Sequence, residues 1–136
     1  MNIIDASSLT KYVLREKGWD EVRRVLEEES VSVDHVLKEV ANAIWKKAVI
    51  LRLESIEVAW KRYQALRKLV EGNIIVLDNE LNLLEEAFRI ALENHITIYD
   101  ALYIAQALSL NATLVTSDKK QAQVAEKLGV KVRYIP

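Results

Sequence analysis

The chain contains no cysteine. That excludes disulfides, thiolate metal sites and a cysteine nucleophile, and it agrees with a reducing compartment. The single proline is the last residue, and no linker is visible. The only three glycines, Gly18, Gly72 and Gly129, each fall where a helical pattern stops. No uninterrupted apolar run reaches membrane-spanning length, and no charged segment followed by an apolar one opens the chain. A cytoplasmic protein without membrane association is therefore expected. Neither sign of charge dominates: 19 basic against 20 acidic residues leave a net charge of −1. A broad nucleic-acid-coating surface is thus not expected, and any phosphate binding must be local or metal-mediated. There is no internal repeat and no low-complexity tract.

What is present fits one domain. In 136 residues, 51% are hydrophobic, enough for a substantial core, and 29% are charged. Met1–Asp5 reads as a strand. Ser7 or Ser8 then caps a helix to about Lys17, ended by Gly18, and Asp20 caps a short second helix. Val31–Val33 reads as a brief strand. Asp34 caps a long helix from about His35 to Leu53, with Leu37, Val40, Ala41, Ile44, Ala48 and Leu51 as its buried stripe. Ser55 opens another long helix, to about Glu71. Ile74–Leu77 is a short apolar run, Asp78 caps a helix to about Glu93, and Asn94 can end it left-handed. Ile98, Ala101, Leu102, Ala105 and Leu108 form one face of a further helix, followed by a strand, Ala112–Thr116. A last helix closes at Gly129, and Val130–Ile135 alternates apolar and basic side chains as an edge strand does. Strands alternating with helices predict an α/β fold with a mainly parallel sheet of four or five strands and right-handed crossovers. Residues 34 to 94 exceed one crossover and predict a helical lobe. Trp19, Trp45 and Trp60 are most simply core or interface residues.

Carboxylates mark the strand ends. Asp5 closes the first strand, Asp118 follows the fourth, and Asp100 lies in the first turn of the helix between them. Ligands bind outside the carboxyl ends of parallel strands. Each acid also has a plain reading as a helix cap, and Thr97-x-x-Asp100 fits a capping box. The argument for a site is that all three share one rim of one sheet. On the long helix, His35, Glu39, Asn42 and Lys46 stand three or four apart and line up. That face is either the wet side of an amphipathic helix or the lining of a cleft, with Glu39 as a fourth acid.

Four acids in this order, in the contexts Ile4-Asp5-Ala6-Ser7, Glu39-Val40-Ala41-Asn42, Tyr99-Asp100-Ala101-Leu102-Tyr103 and Thr116-Ser117-Asp118, resemble the PIN-domain family over the whole chain, and closely the VapC-type toxins of prokaryotic toxin–antitoxin pairs. The resemblance implies a PIN-like three-layer fold and a metal-dependent endoribonuclease with Asp5, Glu39, Asp100 and Asp118 around the metal. Ser7, Asn42 and Thr116 match supporting positions. Lys119-Lys120 follow Asp118 where some relatives carry a further acid, so a fifth acidic ligand is not expected. The implied partners are an RNA substrate, a VapB-type antitoxin that blocks the acidic cleft, often with an arginine, and a second copy of the chain.

Elementary chemistry agrees. Clustered carboxylates raise one another's pKa unless a cation neutralises them. Oxygen-only donors select hard ions, Mg²⁺ or Mn²⁺. Asp5 and Asp118 are the expected direct ligands, Asp100 a ligand or water-orienting base, and Glu39 acts through water or a second ion. Lys46, Lys119 and Lys120 are candidate phosphate contacts, against a plain reading as solvated lysines. Apolar content on three sides of the long central helices, Trp45 beside Ile44 and Val58 beside Ala59 and Trp60, predicts a two-fold homodimer; the alternative is a monomer with an oversized core. Two other readings compete. A receiver-like phospho-acceptor switch would use Asp5 and Asp78, but it lacks a second acid beside Asp5. A housekeeping or inactive PIN domain would act in RNA processing or as a binding scaffold.

Overall fold

A computed structural model describes all residues, Met1–Pro136. Five parallel strands form one sheet: β1 (Asn2–Ile4), β2 (Ser30–Val33), β3 (Ile75–Asp78), β4 (Thr113–Thr116) and β5 (Val132–Tyr134), in the order β3-β2-β1-β4-β5. The helices are α1 (Ala6–Val13), α2 (Trp19–Val25), α3 (Val36–Trp45), α4 (Ile56–Glu71), α5 (Leu84–Asn94), α6 (Ile98–Leu110) and α7 (Lys119–Lys127). Chain order runs outward from β1 to β3, then jumps back across the sheet to β4 and β5. Right-handed crossovers therefore put α1–α4 on one face and α5–α7 on the other. This is the expected three-layer α/β arrangement, with α3 and α4 as the helical excursion.

β1 is the central strand, and the direction of winding reverses at it. Ile3 and Ile4 are fully buried, as are Leu114 and Val115 beside them, because both faces of a parallel sheet are covered by helices. The core continues into α6, where Ala101 through Ala107 are all buried. A helix this enclosed has almost no polar side, which is why its apolar residues read as more than one stripe.

Several local signals resolve differently from expectation. Asp5, not Ser7 or Ser8, caps α1: its carboxylate accepts from the Ser8 amide, 2.9 Å away. The chain turns left-handed at Arg15 after α1, and Gly18, at φ +93, opens α2 instead of ending α1, with Asp20 in the first turn. Asp34 does not cap α3; its carboxylate accepts from the Glu80 amide across the chain. The long helix breaks after Trp45 into a π-helical turn, Lys46–Ile50, and Leu51 is exposed. Asp78 ends β3 and accepts from Gln106 Nε2 at 2.9 Å, while Asn79 caps the short 3-10 turn before α5. His95, not Asn94, takes the left-handed position after α5. At Asp34 and Asp78 a distant partner outcompeted the local capping signal.

Trp45 and Trp60 stand 50% and 62% exposed. They flank an apolar groove of about 280 Å³ between α3, the π-helical turn and α4, lined also by Ile44, Val49, Ile56 and Tyr63. The central helices thus carry open apolar surface, not an oversized interior. A second open apolar face, Leu81, Leu84, Phe88 and Leu92, runs along α5.

The layering makes a stability contrast. Leu114→Ala empties space between the two helical layers and should lower unfolding free energy by about 2–5 kcal/mol. Val76→Ala, on the exposed edge strand, should cost less than about 1 kcal/mol. Urea unfolding of both variants checks the ranking, and equal costs would refute it.

Candidate functional site

Pairing of Ile4 with Val115 brings Asp5 and Thr116 side by side at the carboxyl ends of β1 and β4. Asp5 is 1% exposed, yet it is a carboxylate, so every oxygen must be satisfied. Oδ1 accepts from the Ser8 amide and lies within 2.9 Å of the Ser8 and Ser7 hydroxyls. Oδ2 accepts from Thr116 Oγ1, with Ser7 Oγ 2.9 Å away. Each hydroxyl has one proton to give, so Oδ2 keeps lone-pair capacity that Oδ1 does not. Thr116 Oγ1 also accepts from the Asp118 amide at 3.0 Å, and Ser7 Oγ accepts from the Ser117 amide at 2.9 Å. Two hydroxyls therefore splice the first and fourth strand ends together. Burial pushes the Asp5 carboxyl up to about 6, with Thr116, the Ser8 amide, Ser7 and the Ser8 hydroxyl holding it back.

The four expected acids line one cavity of about 300 Å³. Asp5 comes from the end of β1, Glu39 from α3, Asp100 from the first turn of α6, and Asp118 from the start of α7. Ser7 lines it too, and Thr116 underlies it. The plain cap reading also holds for Asp118, whose Oδ1 caps α7 through the Gln121 amide at 3.0 Å, but not for Asp100: α6 is capped by Thr97, which accepts from the Asp100 amide. The reciprocal half of the Thr97–Asp100 box is not formed, which leaves the Asp100 carboxylate to the cavity. Desolvation raises the Asp100 carboxyl above its ordinary value, and the charges of Asp118 and Glu39 raise it further, partly offset by Thr97 and Lys120.

Three lining residues were not singled out from the sequence. Tyr103, 1% exposed, donates its hydroxyl to Glu39 Oε1 at 2.6 Å and so bridges the two helical layers over the strand ends. Burial, then the Glu39 charge and that bond, hold the phenol well above the ordinary tyrosine range, so it stays a donor. Tyr103 is three residues after Asp100, and that helical spacing was the available signal. Gln121 reaches from α7 to the Asp100 carbonyl at 3.3 Å; its place three residues after a capping Asp was the signal there. Thr10, on α1, had none.

Asn42 does not join the acids. One turn beyond Glu39, it lines a neighbouring cavity with His35, Lys38, Glu39 and Tyr99. Lys46 lines neither cavity. Lys119 and Lys120 are exposed beside Asp118, and Lys120 is close enough for its charge to act on Asp100. Asp78, which a phospho-acceptor switch would need near Asp5, lies on edge strand β3, two strands away, bound to Gln106. That geometry removes the receiver-like reading.

The donor set suits a hard divalent ion: oxygens only, in mutual repulsion at Asp100. No three His, Asp or Glu side chains stand close enough to hold one metal ion between them. Mg²⁺ is usually held by one or two carboxylates, with water and substrate phosphate completing its octahedron, so the residues fit an ion of that habit.

A buried acid titrating high has a consequence for stability. Because the native value of about 6 exceeds the ordinary 3.8, the folded chain holds the proton more tightly. Asp5 therefore costs stability progressively as pH rises between those values, on the order of 3 kcal/mol once both states are ionised. Asp5→Asn removes this component. Urea unfolding at pH 4 and pH 7 should show the variant gaining on the native chain by that order. Parallel pH dependence in the two proteins would refute it.

Residues 3–127 match the PIN domain. Among curated proteins, the chain is 29% identical over 133 residues to ribonuclease VapC3 of Pyrobaculum aerophilum, covering 92% of each chain. It is 30% identical over 119 residues to exonuclease VapC9 of the same organism, covering 87% of this chain and 80% of that one. Among solved structures, PAE2754 from Pyrobaculum aerophilum superimposes with a TM-score of 0.67 at 27% identity, over 96% of this chain and 87% of that one. FitAcB from Neisseria gonorrhoeae shares the fold, with a TM-score of 0.57 at 18% identity over 97% and 96%. With this sheet order, this rim of acids and a match spanning nearly its full length, the chain belongs to the PIN domain family, and its curated relatives are VapC proteins.

Proposed function

We propose that this protein is a metal-dependent endoribonuclease, the toxin of a VapBC-type toxin–antitoxin module, hydrolysing RNA phosphodiester bonds at the cavity of Asp5, Glu39, Asp100 and Asp118. The observation that carries the reading is that four carboxylates from four separate elements line one cavity at the switch point of a parallel sheet. Two VapC relatives, one named a ribonuclease and the other an exonuclease, support nuclease chemistry in the family.

In this reading Asp5, Asp100 and Asp118 are the residues that would hold Mg²⁺ or Mn²⁺, with water and phosphate oxygens completing its shell. The ion would supply charge stabilisation to the phosphoryl oxygens and increase the acidity of water. Asp100 lines the cavity from the first turn of α6 and would hold the ion or orient the attacking water. Tyr103 holds Glu39 at the cavity wall through Oε1. Ser7 and Thr116 keep Asp5 ionised and oriented from behind. Lys119 and Lys120 meet the RNA backbone at the rim. In the assembly, a VapB-type antitoxin blocks the cleft by presenting a guanidinium to the carboxylates. The groove between α3 and α4 is covered by a second copy of the chain.

Asp118→Asn should keep the circular-dichroism spectrum and the cap to Gln121, because the amide oxygen still accepts. Mg²⁺-dependent cleavage of RNA should fall by at least about a hundredfold. Sequencing RNA ends after controlled expression identifies the sites, and a circular RNA substrate separates internal cleavage from end-trimming. Full activity of Asp118→Asn, or an intact circle, would refute the reading. For the assembly, light scattering at micromolar concentration should give twice the 15.6 kDa chain mass. Trp45→Arg with Trp60→Arg should return it to that mass. A native monomer refutes the dimer.

A further inference from the structure

A second, more open cavity of about 310 Å³ adjoins the acid site, walled by His35, Lys38, Glu39, Asn42 and Tyr99. Glu39 is common to both, and Tyr99 directly precedes Asp100, so the two cavities are neighbours. Tyr99 is 56% exposed, a large aromatic surface to leave in water beside a polar site. Its ring lies flat on the His35 imidazole, centroids 4.8 Å apart and planes within 10° of parallel. The imidazole is packed, with its side chain 13% exposed. Its Nε2 makes no hydrogen bond even though Glu39 Oε1 is 3.4 Å away, and Nδ1 lies 3.8 Å from Glu80 Oε2. One face of the tyrosine is thus backed by a second ring, and the exposure falls on the other face and the edge.

Charge selects what can sit there. Glu39 lines the cavity and Glu80 stands behind His35, 3.8 Å from Nδ1, so a phosphate on its floor would be repelled. A nucleobase is neutral and brings a π face and hydrogen-bonding edges. Lys38, with 70% of its side chain exposed, stands at the rim where a backbone phosphate would pass, and Asn42 offers an amide to a base edge. Lys38 Nζ also lies 3.9 Å from Glu80 Oε1 and shares its charge with that carboxylate; a basic group beside an aromatic platform is how proteins hold single-stranded nucleic acid.

We propose that Tyr99, stacked on His35, is the docking platform for one nucleobase of the RNA substrate, next to the phosphate in the acid cavity, with Lys38 on the backbone and Asn42 at the base edge. This rests on the ribonuclease reading above and names how the site positions its substrate. Tyr99 touches the substrate; His35 is a positioning residue that stiffens it.

The test is binding, read by fluorescence anisotropy of a short labelled single-stranded RNA in EDTA, so that no cleavage or metal enters. Tyr99→Ala should weaken binding roughly tenfold and Tyr99→Phe by less than about twofold. Abasic substitution scanned along the RNA should reproduce the tenfold loss at one position in the native chain and have no further effect there in Tyr99→Ala. Unchanged affinity in Tyr99→Ala overturns the platform, as does an abasic loss at that position that is equal in both proteins. A shift in oligomeric mass with RNA binding intact also overturns it, marking Tyr99 as a protein contact. Native protein that neither binds nor cuts RNA overturns the ribonuclease reading itself, a result distinct from these.

Discussion

A buried carboxylate at the end of the central strand is the constraint on which both fold and site depend. Asp5 is enclosed at the point where the sheet's winding reverses, and an unpaired charge there would be intolerable. The chain answers with three hydroxyls and an amide drawn from α1 and β4. Those same groups set the register of β4 against β1 and fix the backbone leading to Asp118. Strand pairing and site assembly are therefore one event, and loosening Thr116 would disturb both.

The second tie is the Tyr103–Glu39 bond, which joins the helical layers across the top of the sheet. It keeps Glu39 at the cavity although α3 and α6 lie on opposite faces. Between the two ties, Glu39 and Asp100 sit on helices and Asp5 and Asp118 are helix N-caps, in an arrangement where Asp100 already feels the charges of Asp118 and Glu39. Such a site stays electrostatically unfavourable until a cation or an arginine enters. That gives one physical basis for both activity and inhibition.

The parts of this design that depend on period and position were legible in the sequence. Alternating strands and helices, the acids at strand ends and the Glu39 stripe could be read because burial imposes them locally. What failed was whatever a distant partner decides. Asp34 looked like a cap but serves Glu80; Asp78 looked like a cap but serves Gln106. Gly18 looked like a stop signal, yet Arg15 took the left-handed turn and Gly18 opened the next helix. Asn42 shared a helical face with Glu39 but lies a full turn along, enough to enter the next cavity. Tyr103 was not singled out because one sequence cannot show which buried hydroxyl meets which acid.

The central claim is that these carboxylates form a cation site whose free state is strained by their own repulsion. Thermal unfolding with increasing Mn²⁺ tests it directly. The account predicts a saturable rise in melting temperature for the native chain, because a ligand that binds only the folded state stabilises it. It also predicts that Asp100→Asn starts no less stable in the absence of metal and needs higher Mn²⁺ for the same rise. A native chain whose melting temperature is unmoved by Mn²⁺ or Mg²⁺ at millimolar concentration would contradict it.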